Sequence, residues 1–311
     1  MKVNRILLAC AIFLMTATVI SSCKKNAENQ SSANPPDRAN KSSLVVNNTN
    51  PFNYLGQLHN DALDVVGSDP NFSRLRDPDV HAIIQDYINA TLSLRLNEPY
   101  DSVISSAVEY ANYGLDVTLN LPADLEAVGT ISSDVKSNLL ALYDAVGISK
   151  PMNQINTLND LKTPADAVTA VQALEADIIT RYGNPTSTTI DRTIDLRTND
   201  GKATYLLIAC AIAKYSYHYW HEVLNNSSSS WYVVFADSTS NKGTSFLTKA
   251  WQWCERTGAD IGGFLGAGSA GASAGSTDGK KEVKGTYTVK ISEGVKAGKE
   301  ASAKVRAEQE K

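Results

Sequence analysis

The residues best placed to do chemistry are His218, His221 and Glu222, in the order HxxHE. Residues three apart lie on one helix face, so both imidazoles could reach one metal ion. The order is neither HExxH nor HxxEH, so the glutamate of the metalloprotease motifs is out of place. A third ligand would have to come from His59, His81 or a carboxylate elsewhere. The competing interpretation is a pair of amphipathic histidines at the wet end of an aromatic helix. Spacing alone fixes neither ligand number nor geometry. No metal and no cofactor is therefore expected, with His218 and His221 kept as metal candidates.

His59-Asn60-Asp61 supplies a base and a carboxylate on another predicted helix. Side chains two apart do not face each other on a helix, so His59 and Asp61 are no ready dyad. A capping or interhelix hydrogen-bond role is expected, because buried polar groups need such partners. Glu175, Asp177, Asp195 and Asp200 are expected to be solvated or capping. The chain has no GxSxG, no P-loop and no Rossmann glycine pattern, and Ser227 to Ser230 has no activating histidine at a known spacing. No catalytic residue is assigned.

The element that must position these residues is Ala203 to Leu224, ATYLLIACAIAKYSYHYWHEVL. It is apolar on nearly every face, so it is either buried or spans a membrane. Lys214, His218, His221 and Glu222 argue against a span, since polar groups in hydrocarbon are costly. A core helix of a soluble bundle is expected. Asn199-Asp200-Gly201 is a plausible stop and cap, and Asn225-Asn226 ends the pattern. The tyrosine hydroxyls and the Trp220 indole need partners or water, which places that end near the surface.

The helical period recurs upstream. Leu55, Leu58, Ala62 and Val65 make one stripe, with Leu63 and Val66 beside it. A second helix is expected from Pro78 to Leu92 and a third from Pro99 to Gly114. A fourth runs from a cap at Ser132 or Ser133 to Gly147. A fifth opens at Thr163-Pro164 with Asp166 and closes at Gly183 and Pro185. Thr186 to Arg197 is a loop or a short strand pair, and Trp231 to Phe235 could be a strand. Phe246 to Cys254 returns to the helical period. Thr286 to Ile291 alternates like a strand, and Val295 to Lys311 is a solvated helix. The fold class expected is all-α, a helical bundle built around a buried apolar helix, with a Gly-rich segment and a charged tail.

The chain opens with a targeting segment, residues 1–22: Lys2 and Arg5 are the positive region and Ile6 to Ile20 the apolar core. Ser21-Ser22-Cys23 follows at once. This resembles the lipobox of bacterial lipoproteins, and a simple secretory signal or an uncleaved anchor are the rival interpretations. The resemblance implies cleavage before Cys23 and diacylglycerol on its sulfur. Lys24 in place of Asp implies, for lipoproteins of the usual Gram-negative kind, release to the outer membrane, with the face left open. Residues 23–50 are the lipidated cysteine and a tether rich in Asn, Ser, Ala and Lys, too polar to offset its own ordering entropy. Leu55 to Asp64, Ser216 to Trp220 and Asp260 to Gly263 together are similar to a set of uncharacterised bacterial lipoproteins, a likeness that carries no activity.

Residues 51–257 are expected to form the helical domain, and 258–279 a Gly-rich small-residue segment. Gly262 and Gly266, and Gly271 and Gly275, have GxxxG spacing. A small-residue helix on the domain, a loose linker and membrane insertion all remain open there, the first two favoured. Residues 280–311 are a charged tail with nine Lys or Arg and five Glu, net +4. Loss of Lys2 and Arg5 with the leader takes the net charge from −4 to −6, which argues against general nucleic-acid binding. Cys210 and Cys254 would be the remaining thiols, able to pair outside the cytoplasm or to stay buried and reduced. The expected function is a noncatalytic lipid-anchored envelope protein that binds another envelope component. A metal-dependent hydrolase using His218 and His221, and a membrane-active or self-assembling protein acting through the Gly-rich segment, are the alternatives.

Overall fold

The computed structural model describes residues 46, 49–72, 75, 79, 82–83, 86–87, 90–91, 115–149, 161–189, 193–232, 254, 257–258, 261–262, 265 and 288–290. The fold is all-α. Its helices are α1 (Asn53–Gly67), α2 (Leu115–Ala127), α3 (Ser133–Ala145), α4 (Pro164–Tyr182) and α5 (Asn199–Asn225). Two three-residue strands, β1 (Thr193–Asp195) and β2 (Thr288–Lys290), pair antiparallel with Ile194 opposite Val289. The strand character expected on both sides of α5 is thus satisfied by pairing across it, and not within 186–197.

α5 is the centre. It packs chiefly against α4 and α1, with α3 and β1 beside it. Every residue from Ala203 to Tyr217 is buried. Its cap is Thr198, whose hydroxyl accepts the Gly201 N–H at 3.0 Å, so Asn199 to Gly201 form the first turn and do not stop the helix. Gly201 is required there. A Cβ would run into the Asp195 carbonyl, whose carbon would lie 2.6 Å away. No described helix is long and apolar enough to cross a membrane.

The aromatic half of α5 is not its wet end. Tyr217 and Trp220 are fully buried, and Tyr215 and Tyr219 nearly so. Burial is possible because the polar tips find partners. Tyr217 donates to the Lys162 carbonyl at 2.7 Å and Tyr219 to Asp64 Oδ1 at 3.1 Å. Trp231 adds to this end. It sits edge-on to Trp220 and Phe72 and donates its indole N–H to the Leu63 carbonyl. Trp231 and Tyr232 are helical, not extended.

Local signals explain α3 and α4. Thr163 accepts the Asp166 N–H and Pro164 stands at the first helical position, where no N–H is lost. Gly183 at φ +86° ends α4, and Gly147 at φ +73° follows α3. α1 buries Leu55, Leu58, His59, Ala62, Leu63 and Val66, while Val65 is exposed, so the buried stripe is turned one residue from the expected one. α2 is a helix the sequence pattern does not announce, because Pro122 lies inside it. Leu121 and Leu125 are buried in the common core, and that packing offsets the proline's lost hydrogen bond. Residues 79, 82–83, 86–87 and 90–91 are helical, within the expected second helix. Residues 257–258, 261–262 and 265 are helical too, and Ile261 and Leu265 reach the same core as α5. The expected third helix, Pro99 to Gly114, and most of the Gly-rich segment and tail lie outside the described residues.

Candidate functional site

His218 and His221 stand one turn apart on α5, both half-buried. Burial pushes both imidazoles below their ordinary value, and at His218 the neighbouring His221 adds to it. His218 Nε2 lies 3.7 Å from Glu222 Oε1, too long for a hydrogen bond. Neutral imidazoles suit metal ligation, but among the described residues no three His, Cys, Asp or Glu side chains are grouped to hold one ion. His81 and Cys23 lie outside the described residues.

His59 is fully buried on α1. Its Nδ1 lies 3.1 Å from Asn60 Oδ1, and Asn60 Nδ2 donates to the Tyr215 carbonyl at 3.2 Å. A carbonyl only accepts, so this contact fixes the Asn60 amide orientation. Oδ1 therefore faces the imidazole, and His59 Nδ1 carries the hydrogen. Burial lowers the His59 pKa to about 4, only partly opposed by the Asn60 hydrogen bond. The ring is neutral at pH 7 and works in an α1–α5 hydrogen-bond chain. Asp61 points elsewhere, accepting from Gln57 one turn back at 2.9 Å.

The strongest polar site is built on Glu175, a residue expected to be solvated or capping. Glu175 is not solvated; it is fully buried on α4, and Lys214 of α5 is fully buried against it. Lys214 Nζ donates to Glu175 Oε1 at 2.7 Å and to Oε2 at 2.8 Å. Asn50 Nδ2 donates to Oε1 at 2.5 Å and to the Leu207 carbonyl at 2.7 Å. Two opposite charges and an amide thus close on one another inside the core. Desolvating such a pair is costly, and only this geometry, with further hydrogen bonds, offsets the cost. Cys210 lies one turn before Lys214. Burial pushes its thiol well up, Glu175 adds to that and Lys214 opposes it, so it stays protonated and is a poor nucleophile. Cys210 and Cys254 are both buried and carry no disulfide.

A second cluster ties three helices nearer the surface. Lys202 Nζ donates to Asp134 Oδ2 at 2.8 Å and Tyr182 donates to the same oxygen at 2.9 Å. Partial burial works against the Asp134 charge, but these hydrogen bonds outweigh it and hold the carboxyl well below its usual range. The Tyr182 hydroxyl is raised by burial and by Asp134, so it is no base near neutral pH. Asp200 accepts from Thr186, Asp195 from Arg197, and Asp177 meets Arg181 on the surface. The only sign of the Glu175–Lys214 pair in the sequence is a lysine in an apolar helix and a glutamate among buried neighbours on α4.

The chain matches no family model, no curated protein and no solved structure with which it was compared.

Proposed function

We propose that this chain is a lipid-anchored protein of the bacterial cell envelope, most simply of the outer membrane, whose helical domain is a noncatalytic binding module for another envelope component. One observation carries the anchoring: Lys2 and Arg5, the apolar run Ile6 to Ile20, and Ser21-Ser22-Cys23 follow in the order a lipoprotein signal requires. The polar stretch after Cys23 suits a spacer between membrane and domain. The noncatalytic role is supported by how the most deeply buried polar groups are used. Glu175, Lys214 and Asn50 satisfy one another out of reach of solvent, and His59 is committed to Asn60.

Mass spectrometry of the protein from membranes tests this. A mature chain beginning at a diacylated Cys23 is expected, and Cys23→Ala should abolish processing and membrane retention. Retention of the Cys23→Ala protein equal to the parent, with no acyl mass on the parent, overturns the proposal.

A further inference from the structure

Asn50 is only 2% exposed, yet Thr49 before it is exposed and Pro51 after it half-buried. It reaches inward from the surface. Its Nδ2 bridges Glu175 and the Leu207 carbonyl, and its Oδ1 accepts the Phe52 N–H at 2.9 Å. Phe52 beside it is fully buried. Leu207, Cys210 and Lys214 recur at helical spacing, so they share one face of α5. Asn50 covers that face at the point where the chain enters the domain. Residues 49–52 precede α1, so their hold on the body is a few hydrogen bonds and one aromatic ring. Segments held this way open at lower free energy than packed helices.

We propose that residues 49–52 form a strap that opens as a unit, admitting water to the Glu175–Lys214 pair while the helices remain folded. Closed, the ion pair is sealed from solvent. Open, it presents an ammonium and a carboxylate to solvent. The strap thereby couples the chain leading into the domain to the charge pair at its centre.

Cys210, between Leu207 and Lys214 on the covered face, is the natural reporter. The full chain is treated with iodoacetamide under native conditions, and modification is followed separately on the Cys210 and Cys254 peptides. Asn50→Gly removes the hydrogen bond to the charged Glu175 and should speed Cys210 labelling about ten- to a hundredfold, leaving Cys254 near its parental rate. In the parent, Cys210 labelling should rise with urea more shallowly than global unfolding followed by circular dichroism, because opening four residues exposes far less surface than unfolding the helices. This second arm needs no variant and holds if Asn50→Gly does not fold. Equal acceleration of both thiols in Asn50→Gly, an unchanged Cys210 rate, or a parental Cys210 slope equal to that of global unfolding overturns the strap.

Discussion

Lys214 and Glu175 form a two-pronged ion pair, 2.7 and 2.8 Å long, with both side chains wholly excluded from solvent. The pair joins the central helix α5 to α4 and is completed by Asn50, which precedes α1. A buried pair of this kind is a weak source of net stability, yet neither partner tolerates loss of the other. It therefore specifies how α4 and α5 meet more than it strengthens the contact.

His59 makes the fold sensitive to mild acid. Its pKa is about 4 in the fold and near 6.5 when unfolded, so between those values the unfolded chain binds more protons. Stability is then complete above about pH 6.5 and falls as pH drops towards 4, by about 3 kcal/mol. His218 and His221, also pushed down by burial, act in the same direction. Asp195, held to about 2 first by its Arg197 hydrogen bond, contributes only at lower pH. Urea unfolding of the parent and of His59→Gln between about pH 7 and pH 4.5 reads the His59 share. The parent should lose more stability than the variant, and equal losses would show that His59 is not buried neutral.

Gly56 sets the approach of α1 to α5. A Cβ there would overlap the Tyr215 ring and come within 2.7 Å of the Ala211 carbonyl oxygen. Backbone on a buried helix cannot step aside cheaply. Gly56→Ala should destabilise by about 1–3 kcal/mol, although alanine is by about 1 kcal/mol the better helix former. Thermal unfolding checks this, and a raised midpoint would mean that α1 and α5 do not meet at Gly56.

How much of this was legible in the sequence follows from how local each signal is. The Thr163–Asp166 cap and Gly183 lie within or beside one element, and the structure places both as expected. The long apolar run located α5 and its burial. What failed was long-range. Glu175 looked like a solvated acid because its partner lies 39 positions away, and no periodicity joins the two. The aromatic end of α5 looked wet because Trp231 and the Lys162 carbonyl, which dry it, belong to other segments. Pro122 hid α2, where tertiary packing outweighed local preference. At the HxxHE stretch the helix and the shared face were legible, whereas the surroundings of His218 and His221 depend on other elements.

The most direct test of the buried pair as the joint between α4 and α5 is a double-mutant cycle on Lys214 and Glu175, read by urea unfolding at neutral pH. Lys214→Met and Glu175→Gln should each cost about 3–5 kcal/mol, because each strands a buried polar partner. The double variant should cost clearly less than the two combined, with a coupling of at least about 1–3 kcal/mol. Single costs below about 1 kcal/mol that simply add, as for a solvent-exposed pair, would contradict it.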